Sequence, residues 1–285
     1  MSTKAEQLTN DLLWAINSPS LIDRNEKLDH HVNWNILNRD EIDGDRLIQF
    51  CRDYIQARTD SPPSIFPVGK YFEKLIFFYL QEIQGFEIVA NGEQVFEGGQ
   101  TVGEFDFLYR GNDGELTHLE TSVKFYLQLV DGFHNGSRFV GPNSSDTFER
   151  KTDRLFGHQL SLSRKYRPDV TRRVALVKGR IYRHAIARCP IARPPLLSQE
   201  PLTGQWIHSN HIQQLDTPER TYRLLRKPHW LNDDVDGRCF DPRELWEFVE
   251  QHFQANSRPL HFAMLRQNAA ASNLFVVAPC WPEQS

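Results

Sequence analysis

Apolar residues recur at helical spacing over residues 4–17 and 45–58, which predicts two amphipathic helices. The first stops before Ser18-Pro19. The second gives way to TDSPPSIFP (59–67), a turn-rich linker whose prolines forbid helix continuation. Residues 68–84, VGKYFEKLIFFYLQEIQ, predict a strongly apolar helix, with Gly85 placed to end it. Strands are expected at 86–90, 94–97, 103–110 and 115–127, and the last two flank GNDG, a hairpin signal. A polar loop over about 130–147 follows, and loops of that length are often functional. A helix is expected from Thr147 to Lys165 and a strand at VALVKGRIY (174–182), with a boundary at Pro190, Pro194 and Pro195. Beyond it come a strand at GQWIHS, a helix at DPRELWEFVEQHF capped by Asp241, and strands at 259–265 and 274–278. Helix, strands, helix, strand makes a mixed α/β core.

Within that frame, 285 residues can bury a sizeable core. We expect a helical region at 1–60, a core at 61–190 and an α/β extension at 191–285. No apolar run approaches a membrane span; the longest is Leu75 to Leu80. The polar N-terminus lacks a signal-peptide core, and Cys51, Cys189, Cys239 and Cys280 lie far apart with no CxxC. A reduced, cytoplasmic protein with no membrane partner is the expectation. The net charge of −4 hides an asymmetry. Arg150 to Arg188 holds twelve Lys/Arg against Asp153 and Asp169, a balance of +10, so the remainder carries −14. Such a stretch could face a polyanion, or simply form a solvated helix face and an exposed strand.

The candidate chemistry lies in the hairpin. With Asn112-Asp113-Gly114 as its loop, Gly111 opposes Glu115, and counting back sets Asp106 opposite Glu120. Directly paired residues have Cβ atoms ~4.5–5.5 Å apart on one face. A one-residue slip would undo the pairing. Facing like charges are destabilising unless a cation lies between them. Period two adds Ser122 and Lys124 to the same face as Glu120. Two carboxylates suit a hard divalent cation, and the lysine could help deprotonate its water or stabilise phosphate charge. The plainer alternative is a cross-strand ion pair on a solvated face. Two helices bear on that choice. Glu73 shares its face with Ile76, Phe77 and Leu80, and Gln159 lies among Leu155, Phe156 and Leu162. A buried glutamate needs a partner; a structural hydrogen bond or an escape to the core's edge would also serve.

The ordered series Glu73, Asp106, Glu120, Lys124, Gln159 resembles the PD-(D/E)XK nuclease superfamily, with its restriction-endonuclease-like fold. More closely, VGKYFEKL, GEFDFLYR, HLETSVKFYL, VGPNSSD and RLFGHQLSLS look like an uncharacterised bacterial family placed by similarity in that superfamily, as do DLLWAINSPSLI and FVVAPCWP near the ends. The resemblance spans nearly the whole chain, and the nuclease motif covers roughly 69–182. It implies a mixed central sheet flanked by helices, with Asp106 and Glu120 as ligands of Mg²⁺ or Mn²⁺ and the Thr121 carbonyl as a further candidate. Glu73 would support the site, Lys124 would be the catalytic lysine and Gln159 would point in from the following helix. One departure stands out: the usual lysine lies two residues after the glutamate, where this chain has Ser122. Lys124 is displaced by ~6–7 Å of strand rise.

Other signals are weaker. Asp29-His30-His31 looks like the DHH phosphoesterases but lacks their other aspartate motifs. Gly69-Lys70 lacks P-loop spacing. EGGQTVG (97–103) reads as a turn, His134 and His158 as structural, and Trp206, Trp230 and Trp246 as packing residues rather than base-stacking platforms. The resulting expectation is a metal-dependent phosphodiesterase acting on nucleic acid, with DNA favoured. The alternative is a non-catalytic nucleic-acid-binding or scaffold protein on the same fold. A third reading is cleavage of a small phosphodiester or nucleotide in a pocket shaped by the 130–147 loop. A protein partner or homo-oligomer fits any of these.

Overall fold

A computed structural model describes residues 4–23, 44–57, 67–190, 193–215, 219–233, 237–266 and 270–282. The DHH triplet at 29–31, most of the 59–67 linker and the last residue of the helix expected at 45–58 fall outside these ranges. Helices α1 (Lys4–Asn17), α2 (Gly44–Ala57) and α3 (Val68–Phe78) form where the apolar periodicity places them. α1 buries Ala5, Leu12, Ala15 and Ile16 along one stripe. The buried Lys178 ammonium donates to the Ile16 carbonyl at 3.2 Å and to that of Ser18, satisfying carbonyls that the end of α1 leaves open. α3 continues into a π-helical turn, Tyr79–Ile83, and Gly85 lies just past it at φ +66°.

A ten-stranded mixed sheet organises the chain, in the order β1-β2-β3-β5-β6-β10-β9-β7-β8 with β4 on the side of β3. β1 (Glu87–Glu97) is one long strand rather than the two short ones expected. β2 (Gln100–Arg110) supplies partners along its length, and the ladder absorbs Gly92, at φ +65°, with register shifts on either side. Gly98 and Gly99 both have positive φ, as the tight turn from β1 to β2 requires. β3 (Leu116–Gln128) is buried almost throughout and pairs in parallel with β5 (Arg172–His184). At one point these strands come unusually close. Gly179, opposite Lys124, sits at φ +152°, where a Cβ would stand 1.9 Å from the Lys124 carbonyl oxygen.

The crossover from β3 to β5 contains the expected loop, which carries β4 (Phe139–Val140). It also contains the expected helix, broken into three pieces: α4 (Phe148–Arg154), a π-helical turn (Leu155–Gln159) and α5 (Leu162–Tyr166). Thr147 caps α4 by accepting from the Arg150 N–H. β6 (Leu202–His208) pairs in parallel with β5 across the 190 boundary, from Arg180↔Leu202 to His184↔Trp206. The sheet then runs on through β10 (Ser272–Val277), β9 (Leu260–Arg266), β7 (Arg220–Leu225) and β8 (Cys239–Phe240). Helix α6 (Pro242–Ala255) opens with a full capping box between Asp241 and Glu244.

Alternation along β3 divides the core. Leu119, Val123, Phe125 and Leu127 pack with α1 and α3. Tyr126 packs with Phe148, Leu155, Phe156, Val177 and Ile181 on the other side. No helix among the described residues is long and apolar enough to cross a membrane.

Candidate active site

The β2–β3 ladder has the register counted from its turn: Arg110↔Leu116, Tyr109↔Thr117, Leu108↔His118 and Phe107↔Leu119. It stops one step before Asp106 and Glu120. Beyond that point β2 pairs with β1, while β3 stays with β5 and then β4. Side chains bridge the fork where the strands part. The Thr121 N–H donates to Asp106 Oδ2 at 2.8 Å and its hydroxyl does so at 3.2 Å, so a carboxylate stands in for the ladder's missing carbonyl. In return the Asp106 N–H donates to Glu120 Oε1 at 3.4 Å.

Glu120 is fully buried and held from both sides. Gln159 donates Nε2–H to its Oε2 at 2.6 Å, and His118 Nε2 lies 2.9 Å from its Oε1. Behind His118 a chain of polar groups runs outward. Nδ1 meets Ser163 Oγ at 2.9 Å, and Arg173 Nε donates to that same oxygen at 2.9 Å. Burial lowers the His118 pKa to about 4, so the ring is neutral at physiological pH. The Ser163 hydroxyl also reaches the Leu160 carbonyl at 3.4 Å, so the neutral ring bridges Ser163 and Glu120.

The two carboxylates hold charge reluctantly. Burial, then the neighbouring Glu120, pushes Asp106 up to about 6. Burial pushes Glu120 up to about 7, against the pull of the Asp106 N–H and of Lys151. Glu73, half-buried on α3, is raised by burial and steadied by Lys70, whose ammonium donates to it at 2.7 Å. These shifts mark a site short of positive charge.

The lysine that answers these acids is Lys151, not Lys124. Lys124 shares a sheet face with Glu120 as period two requires, but its ammonium donates to Asp146 Oδ2 at 2.6 Å, at the end of the 130–147 loop. Lys151, on α4, donates to Gln159 Oε1 at 3.1 Å, and Gln159 in turn holds Glu120. Burial, then the charge of Lys124, lowers the Lys151 pKa, while Glu120, Asp106 and Asp146 pull it up. Residues 151 and 159 would point ~80° apart on an unbroken α-helix. The π-helical turn between them brings both to one spot, a common use of such turns at functional sites.

A family model described as a domain of unknown function, DUF1853, matches residues 10–277. The chain belongs to this family. The match spans every site residue named above, from Glu73 to Arg173, together with all ten strands. Neither the curated proteins nor the solved structures yield a match.

For this DUF1853 chain the donor set limits which metal could be held. Among the described residues no group of three or more His, Cys, Asp or Glu side chains converges as a metal cage. The two carboxylates fit a hard cation of the Mg²⁺ type, which takes one or two protein carboxylates and fills its other positions with water or substrate oxygens. Asp106 Oδ1 accepts no hydrogen bond from the described residues, and each Glu120 oxygen has lone-pair capacity beyond its present donors.

The remaining sequence candidates have structural roles. His134 Nε2 meets the Ser144 carbonyl and His158 Nε2 that of Val102. Trp206 and Trp230 are buried and donate to the Gln128 and Leu225 carbonyls. The basic stretch from Arg150 to Arg188 is not one surface. Lys178 and Arg180 are buried, while Lys165, Arg167 and Arg172 pair with Glu97, Asp169 and Asp113.

Proposed function

We propose that this chain is a metal-dependent nuclease whose centre is the fork between β2 and β3. The observation that carries the reading is the meeting of Asp106, Glu120, Gln159 and Lys151 there, two acids with raised pKa values beside a half-buried amine. Asp106 and Glu120 would hold Mg²⁺ or Mn²⁺. That ion would supply Lewis-acid polarisation of the scissile phosphate and a lowered pKa for the attacking water. Gln159 orients the Glu120 carboxylate, and His118 fixes it from behind. Lys151, its charged form disfavoured by burial, is placed to offset charge building on phosphate. Glu73, with Lys70, forms the rim on the α3 side.

The test is cleavage of labelled single-stranded, duplex and branched DNA and of RNA with Mg²⁺ or Mn²⁺, run beside Asp106→Asn. Metal-dependent cleavage by the native chain that the variant lacks supports the reading. No cleavage of any form would reject it.

A second reading is a non-catalytic binding or scaffold protein. It is favoured by the full enclosure of Glu120 between His118 and Gln159 and by the internal pairing of much of the basic stretch. On that reading the acids still meet, but no phosphodiester is broken.

A further inference from the structure

A second polar site lies at the far end of the same strands. Eight residues beyond Glu120 on β3, ~26 Å of strand rise, Gln128 lines a cavity of about 430 Å³ over the junction of β5 and β6, where Ile181 pairs with Thr203. Arg183, Arg188 and Arg193 line it, and no aspartate or glutamate does. None of the three guanidinium groups makes an ion pair or hydrogen bond with the described residues, whereas those of Arg167 and Arg172, earlier in the chain, are paired. Three guanidinium groups around one acid-free cavity concentrate positive potential there.

The wall that carries Arg188 is built rather than loose. Gln128, itself buried, donates Nε2–H to the Pro190 carbonyl at 2.7 Å. Cys189 Sγ sits between the His184 N–H and the Gln128 carbonyl. His184 Nδ1 accepts the N–H groups of Ile186 and Ala187 at 3.2 and 2.9 Å, which closes the turn after β5. Burial, then His208 and His211, lowers the His184 pKa. With Nδ1 accepting twice, its proton is on Nε2, and the ring offers one neutral donor.

We propose that this cavity binds an organic phosphate of mononucleotide size. Guanidinium forks match phosphate oxygens in pairs. The volume falls in the range of small-ligand sites. Ile181 and Leu197 give the non-phosphate part an apolar wall. The phosphate could belong to a free nucleotide or to the 5′ end of a nucleic-acid strand. The inference does not depend on the carboxylate site.

Calorimetric titration of the full chain in divalent-free buffer tests it. The probes are inorganic pyrophosphate, adenosine 5′-monophosphate, adenosine, and a DNA hexamer with or without a 5′-phosphate. Saturable binding of a phosphorylated probe, at least 100-fold weaker in Arg183→Gln/Arg188→Gln, about 10-fold weaker in Arg193→Gln and unchanged in Arg243→Gln on α6, supports the proposal. Tighter binding of the phosphorylated hexamer than of the monophosphate assigns the site to a strand end; the reverse assigns it to a free nucleotide. Adenosine binding as well as its monophosphate, a double variant binding as the native chain does, or no saturation by any phosphorylated probe would overturn it. The three arginines are at the surface, so the variants should fold, and an unchanged melting temperature verifies this.

Discussion

The Thr121 N–H donates to the Asp106 carboxylate at 2.8 Å where a continuing ladder would offer it a carbonyl. That substitution lets β2 leave β3 without stranding a donor, and it sets Asp106 beside Glu120 in the opening. The site is thus a consequence of how two strands part, and its residues can be separated by experiment.

Lys151 and Lys124 should behave differently. Lys151→Met keeps the stem's bulk but removes the amine beside Gln159 and Glu120. Cleavage should fall ~10²–10³-fold with the fold intact. Lys124→Ala removes a half-buried pair with Asp146, worth about 0–1 kcal/mol, and should affect cleavage less than Lys151→Met does. Single-turnover rates on the best substrate of the panel check this, and the reverse order would return the amine's role to Lys124.

That lysine also shows where the sequence stops speaking. The hairpin register was legible from its turn: counting back from Asn112-Asp113-Gly114 gives Phe107↔Leu119, the pairing observed. Gln159 entered the candidate site through the ordered series of the resemblance, since its apolar neighbours alone fit a structural hydrogen bond equally well. Lys151 was not legible, because helical period turns it away from Gln159, and no residue pattern announces the π-helical turn that brings it back. β7 was missed for another reason: RTYRLL mixes arginines into a strand whose pairing is supplied from a distance, by β9 on one side and β8 on the other. β1 was expected as two short strands, at 86–90 and 94–97; pairing with β2 carries the ladder unbroken in register from Ala90 through Val95, past Gly92.

Stability should carry the signature of the buried acids. Glu120 is raised from the ordinary carboxylate value to about 7. Its favourable contribution is therefore complete below pH ~4.5 and is lost as pH rises through about 7, roughly 3 kcal/mol in all. Glu120→Gln removes that dependence. Denaturant melts at pH 5 and pH 8 in divalent-free buffer should show the variant gaining on the native chain by about that amount at the higher pH. A stability difference independent of pH would mean that Glu120 is not held in an unfavourable charged state. His118, lowered by burial to about 4, acts in the opposite sense between pH ~6.5 and 4, and it is common to both proteins.

Gly179 should tolerate no side chain. An alanine Cβ there would stand 1.9 Å from the Lys124 carbonyl oxygen at a φ of +152°, within the central parallel pair. Gly179→Ala should cost about 3 kcal/mol or more. Gly157, in the π-helical turn, has nothing within 4 Å of its Cβ position. Gly157→Ala should be neutral or slightly stabilising. Thermal melts of the two variants side by side test the close approach of β5 to β3.

The most direct measurement is the melting temperature of the native chain and of Asp106→Asn during titration with Mn²⁺ at pH 8, where the acids are ionised. A cation held between Asp106 and Glu120 stabilises the folded state by mass action. We expect a saturable rise in the native chain that the variant lacks. No rise, or an equal rise in both, would contradict a metal site in the fork between β2 and β3.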